Sequence, residues 1–173
     1  MNTGQTMLTI FAFALLMTTL TGFYRLMGSN EEDITSGQDG ILAATIATSY
    51  MEVAQGLAYD ERTDTSNSAL HDLTKLTLPA SLGPDDASED SIKDFDDYDD
   101  FNGFVTQTEA GQTGRMYVTQ FAVYYVNPSN AASISASRTF VKRMDMKTWR
   151  IFPVMARADT LRLSIVQGYF HFD

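Results

Sequence analysis

The stretch 3-TGQTMLTIFAFALLMTTLTGFYR-25 decides how the rest of the chain must be arranged. From Gln5 to Tyr24 it holds 20 consecutive uncharged residues, and Arg25 is the first base in the chain. A helix rises about 1.5 Å per residue, so about 20 residues match a hydrocarbon layer about 30 Å thick. Five Thr and one Gly dilute the run, which predicts a membrane-spanning helix of modest apolarity. A cleaved secretory signal wants a basic front and a small-x-small cut site at the far end. Here Met1–Gly4 carries no base and Phe23-Tyr24-Arg25-Leu26 closes the run, so the segment is expected to be retained. Arg25 is soon followed by Glu31, Glu32 and Asp33, and the loop-charge rule therefore assigns no orientation.

A polar patch, 28-GSNEEDITSGQDG-40, leads into 41-ILAATIATSYMEVAQGLAYDE-61. At helical spacing Leu42, Ile46, Tyr50, Val53 and Leu57 share one face, with Thr48, Glu52 and Gln55 opposite. That pattern predicts an amphipathic helix with one face for a core. Ile41 and Met51 lie off the stripe, which suits burial against a second molecule. Gly28, Gly37 and Gly40 each cost about 1 kcal/mol against Ala inside a helix, which predicts a loosened or kinked middle. The expected divisions are a hydrophobic transmembrane or filament-core helix over 1–27, its amphipathic continuation over 28–61, and a globular loop and sheet domain over 62–173.

Strand signals dominate the remainder. The stretch 115-RMYVTQFAVYYVN-127 is apolar on both parities and reads as a central strand covered on both faces. In 139-TFVKRMDMKTWRIF-152, Phe140, Met144 and Met146 point one way and Arg143, Asp145 and Lys147 the other. In 159-DTLRLSIVQGYFHF-172, Leu161, Leu163 and Ile165 oppose Arg162 and Ser164. These two strands each have one wet face. A weaker strand is expected over 104–109, a turn from Asn127-Pro128 through the small residues to Ser137, and a loop over 62–84 with a short helical turn near Leu70–Leu76. The fold class is α+β: a long N-terminal hydrophobic-then-amphipathic helix packed on a 3–4 stranded antiparallel sheet.

The front residues resemble a known family. The start 4-GQTMLT-9 is similar to the G-F-T-L-I-E signature of bacterial type IV pilins and pseudopilins, and 47-ATSYMEVAQGLAYDE-61 resembles the end of their long first helix. Beyond Glu61 the likeness is architectural only. The resemblance implies a pilin-like fold, and cleavage by prepilin peptidase between Gly4 and Gln5 followed by methylation of the new N-terminus. It also implies that Met7, Leu8, Thr9, Ile10, Phe11, Phe13, Leu15, Leu16, Leu20 and Phe23 line the helical core of a filament. The implied partners are copies of the same chain, the inner membrane before assembly, and the assembly machinery. The implied location is a membrane-anchored precursor, then a cell-surface filament. Thr9 stands where the family has a Glu whose carboxylate pairs with a neighbouring subunit's terminal amine, so docking here needs another contact. Thr, Ala and Gly in the span let helices approach closely in an apolar setting.

Charge and missing motifs narrow the function further. Net charge is −10, and between Asp85 and Asp100 nine acidic residues face one Lys. With no basic stripe to displace counterions, nucleic acid is not an expected partner. There is no Cys, hence no disulfide or thiol chemistry. Phosphate-loop, serine-elbow and zinc-helix motifs are absent, His71 and His171 are a hundred residues apart, and no enzyme activity is expected.

Within 94-DFDDYDDFNGF-104, Asp94, Asp96, Asp97, Asp99, Asp100 and Asn102 gather oxygens suited to a hard cation such as Ca2+, although the spacing is not that of an EF-hand. The alternative is a solvated acidic loop whose Phe95, Tyr98 and Phe101 pack onto the domain. Three functional classes stay open at this point. One is a structural subunit of a type IV pilus-like filament, or a pseudopilin of a secretion machine. Another is a single-pass tethered binding module with a cation-binding acidic loop. The third is a structural protein of a membrane-bearing virus.

Overall fold

The computed structural model describes residues 2–64, 70–85, 88–154 and 159–170. The chain divides into two compact units, 1–40 and 41–173. Helix α1 (Thr3–Gly56) runs from the first into the second. The expected break at Gly28, Gly37 and Gly40 is not found, because α1 is unbroken through all three. Their propensity costs, about 1 kcal/mol each, weaken a helix without ending it. Nothing lies within 4 Å of where a Cβ would sit on any of them, so close packing does not explain them either.

In the second unit, α1 is followed by the short helix α2 (Glu61–Asp64) and an antiparallel sheet of five strands. These are β1 (Val105–Glu109), β2 (Met116–Asn127), β3 (Asn130–Ile134), β4 (Val141–Phe152) and β5 (Thr160–Gly168). The sheet order is β1-β2-β4-β5, with β3 pairing on β2. The architecture is therefore α+β, with one strand more than the alternation predicts. β3 falls where the sequence predicts a turn, because Asn130, Ala131, Ala132 and Ser133 have no alternating pattern. It forms as the return arm of a hairpin whose turn carries Asn127, Pro128 and Ser129.

The inward face of the sheet is laid down in register. Val123, Met144 and Ile165 form one cross-strand row, and Phe121, Met146 and Leu163 the next. Ala54 of α1, together with Phe95, Tyr98 and Phe101, closes over them. Side chains of this size gain about 1.5–3 kcal/mol each from full burial. On the outward face Arg143 pairs with Asp145 at 3.0 Å, and Ser164 donates to the same carboxylate at 2.7 Å.

The expected stripe of α1 holds at Ile46, which is buried, and at Leu42, Tyr50 and Leu57, which pack against the core, but not at Val53. Ala43, Ile46, Ala47 and Ala54 are buried, and Tyr50 packs edge-on against Phe121. Val53, assigned to the core stripe, is 42% exposed, whereas Met51, assigned to a second molecule, packs against the core. A hydrophobic stripe weights large residues, so the small buried positions Ala43, Ala47 and Ala54 count for little in it. Ile41 is exposed, as are Thr48, Glu52 and Gln55. The short helical turn expected near Leu70–Leu76 is present as a 3₁₀ turn at Leu73–Lys75.

Candidate functional site

Two features stand out, one in each unit. In the first, the apolar stretch of α1 contains an 18-residue window of mean hydropathy 1.8, none of it buried within the protein. Met7, Leu8, Ile10, Phe11, Phe13, Leu15, Leu16, Leu20 and Phe23 are all exposed, Leu8 by 74% and Leu20 by 42%. These positions cover every side of the helix, so the segment has no face turned to a core of its own.

The five Thr in this stretch are compatible with an apolar surround. Thr6 donates to the Thr3 carbonyl, Thr9 to those of Gln5 and Thr6, Thr18 to Ala14 and Leu15, Thr19 to Leu15 and Leu16, and Thr21 to Met17. A hydroxyl bonded back to its own helix needs no water, which removes most of the cost of placing it in hydrocarbon. Thr9 thus spends its proton at 2.8 Å from the Gln5 carbonyl. Gly4 and Gln5 lie in the first turn of the same helix, both exposed. The segment can act as a membrane anchor, although a signal sequence has the same length and composition.

The second feature sits where α1 ends. Past Gly56 the chain pairs with the acidic loop: Ala58 N–H donates to the Asp96 carbonyl at 3.2 Å, and Tyr98 N–H to the Ala58 carbonyl at 2.9 Å. This brings Tyr59 and Asp60 against Asp97–Phe101. Lys142, on the inward face of β4 beside Met144, enters the same pocket and is fully buried. Its Nζ donates to the Tyr59 carbonyl (2.7 Å), to Asp60 Oδ2 (3.0 Å) and to Asp99 Oδ1. The rings of Tyr59 and Tyr125 lie 4.6 and 5.4 Å from the ammonium.

Asp60, also fully buried, accepts from Thr77 N–H at 3.1 Å and from Tyr125 OH at 3.3 Å as well. Asp97 Oδ1 accepts the N–H groups of Asp99 (2.7 Å) and Asp100 (3.3 Å), while Asp100 Oδ2 accepts those of Asp96 and Asp97 (both 3.1 Å). The loop is thus wound around its own carboxylates. Burial pushes Asp99 up to about 8 even against the attraction of Lys142, and pushes Asp100 up to about 7. Asp97 is raised for the same reason, and burial beside Asp60 raises Tyr59 and Tyr125.

The six oxygen-bearing residues singled out in the sequence have different fates. Asp97 and Asp99 are turned to the loop backbone and to Lys142. Asp94 is exposed and accepts from Ser91, whereas Asn102 bridges the Leu82 carbonyl and Val123 N–H at 2.9 Å each. Asp96 and Asp100 converge with Glu89, each offering an oxygen within 4.8 Å of the others, and these three could hold a cation. Phe95, Tyr98 and Phe101 are buried in the core as in the solvated-loop alternative, but Asp97, Asp99 and Asp100 are buried as well, so the loop is not a solvated one. His71 is exposed, and His171 lies outside the described residues.

Sequence reading missed Lys142 and Asp60. The signal for Lys142 was its parity with Met144 and Met146, which puts a base on a buried face. Asp60 gave none, because its burial depends on a chain segment far away in sequence. Comparison with protein-family models, curated proteins and solved structures gives no match.

Proposed function

We propose that this protein is a structural subunit of a type IV pilus-like surface filament, held in a membrane by α1 before assembly and bundled through α1 afterwards. One observation carries the reading: the apolar stretch of α1 is exposed on all sides, with its Thr hydroxyls satisfied internally. Such a surface needs either lipid or other copies of itself. The resemblance of 4-GQTMLT-9 to the pilin signature favours the use of both in turn, with Gly4–Gln5 as the processing site. A pseudopilin of a secretion machine is the same reading with a shorter filament.

Material sheared from producing cells tests this by negative-stain electron microscopy and intact mass. Filaments of subunits lacking Met1–Gly4 are the expected result. Filaments of full-length chain keep assembly and remove the processing claim. A full-length chain confined to membranes, with no filaments, overturns the filament reading.

That last outcome favours a second reading, a single-pass tethered module whose acidic loop takes Ca2+. The convergence of Glu89, Asp96 and Asp100 is the observation in its favour.

A further inference from the structure

We propose that the side chains of Lys142 and Asp99 are joined by an intramolecular amide bond. The argument starts from charge. Asp60, Asp97 and Asp99 are each at most 3% exposed and lie around one fully buried ammonium. Three buried carboxyl groups around one ammonium is an unfavourable arrangement away from water, and a buried ion pair repays its desolvation poorly even when matched. Converting one pair to a neutral amide removes two buried charges and leaves the polar groups hydrogen-bonded.

The partners of each carboxylate single out Asp99. Asp60 is held by Thr77, Tyr125 and the Arg62 N–H in addition to Lys142. The Asp99 carboxyl accepts from Lys142 Nζ, and its other side-chain partner is Asp97. Asp60 is thus a fixed proton acceptor, 3.0 Å from Nζ, and Asp99 is the acyl partner. Tyr59, Tyr98 and Tyr125 are buried around the group and exclude water.

The step balances without a co-reactant. Asp60 takes a proton from the Lys142 ammonium, freeing the Nζ lone pair. Nζ attacks Asp99 Cγ, forming the N–C bond, and the C–O bond to one carboxylate oxygen breaks. That oxygen leaves as water, carrying the proton held by Asp60 and a second from nitrogen. An ammonium and a carboxylate become one amide and one water, with net charge unchanged. The link ties β4 to the loop and closes the 43-residue separation between the two positions. It is independent of the filament reading, since it needs only the folded second unit.

The test is proteolysis and tandem mass spectrometry of the full-length chain purified in detergent. A branched peptide joining Lys142 to Asp99, lighter than its two arms by one water, is the expected product. Asp99→Asn should give the identical branched peptide with loss of ammonia, whereas Lys142→Arg should give none. Asp60→Asn should slow formation by about a hundredfold, the range of a lost proton acceptor. Recovery of Lys142 and Asp99 in separate unlinked peptides from folded wild-type protein overturns the proposal. A water loss that maps instead to Asp39-Gly40, where the glycine amide can cyclise onto the aspartate, overturns it equally.

Discussion

Lys142 Nζ lies 3.0 Å from Asp60 Oδ2, so a strand residue in the last third of the chain is anchored to the segment just past the end of α1. The pair connects the helix exit, the acidic loop and the sheet at one point.

Removing Lys142 from that point takes away the group that faces Asp60 and, in the proposed link, the nitrogen joined to Asp99. Lys142→Met keeps the unbranched stem without the amine and is expected to cost about 3–5 kcal/mol, the range for breaking a buried pair from one side. Urea unfolding of the purified protein reads this directly. A midpoint equal to wild type would show that Lys142 holds nothing together.

Acid should stabilise the second unit. An unfolded Asp titrates near about 3.9, whereas Asp100, buried beside Asp97 and Glu89 with Asp96 adjoining, is pushed up to about 7. Between those values the folded state binds a proton that the unfolded state lacks, so stability is fully present below the lower value and is lost as pH rises through the upper. Urea midpoints should therefore fall between pH 5 and pH 8, and Asp100→Asn should flatten the slope. Midpoints that rise over this interval would contradict the assignment.

A cation at Glu89, Asp96 and Asp100 competes with that proton. Millimolar Ca2+ is expected to raise the thermal midpoint at pH 8 more than at pH 5, by the mass-action gain of a ligand that binds only the folded state. Glu89→Gln should abolish the effect. Asp94→Asn, whose carboxylate faces Ser91, should leave it intact. An equal response in all three proteins at both pH values would mean that the loop binds no cation specifically.

At the core, Phe121 touches Tyr50, Phe101 and Phe104 and is 1% exposed. Phe121→Ala is expected to cost about 3–5 kcal/mol through lost burial and the cavity left behind. Denaturation curves followed by tryptophan fluorescence from Trp149 give the measurement.

Membrane retention should respond to charge but not to the Thr hydroxyls. Leu16→Arg places a cation in the middle of the apolar stretch, at about 2.5–3.5 kcal/mol on insertion scales. Thr9→Val removes a hydroxyl that was bonded within the helix and should leave partitioning unchanged. Flotation assays on the two variants separate these cases, and a strong loss from Thr9→Val would contradict internal satisfaction.

Local pattern accounts for what was legible in advance. The continuous apolar run of Gln5–Tyr24 has no structure available other than a helix, because every backbone group must be paired once water is excluded. Two-residue alternation located β4 and β5, and apolar residues on both parities located β2 at the centre. β3 escaped because the four small and polar residues Asn130–Ser133 carry no period, and its pairing is imposed by β2.

The amino-acid sequence by itself determined an apolar front helix, an amphipathic continuation, and an antiparallel sheet with one wet face on its later strands. Tertiary structure decided the margins of the buried face of α1, where Ala43, Ala47 and Ala54 are buried and Val53 stays outside. It also decided that the acidic loop is partly an interior element. Charge in a sequence predicts solvation, but Asp60, Asp97 and Asp99 are buried because Lys142 and backbone N–H groups from distant segments meet them there. Pairing at that range is a property of the folded chain, and no local period encodes it.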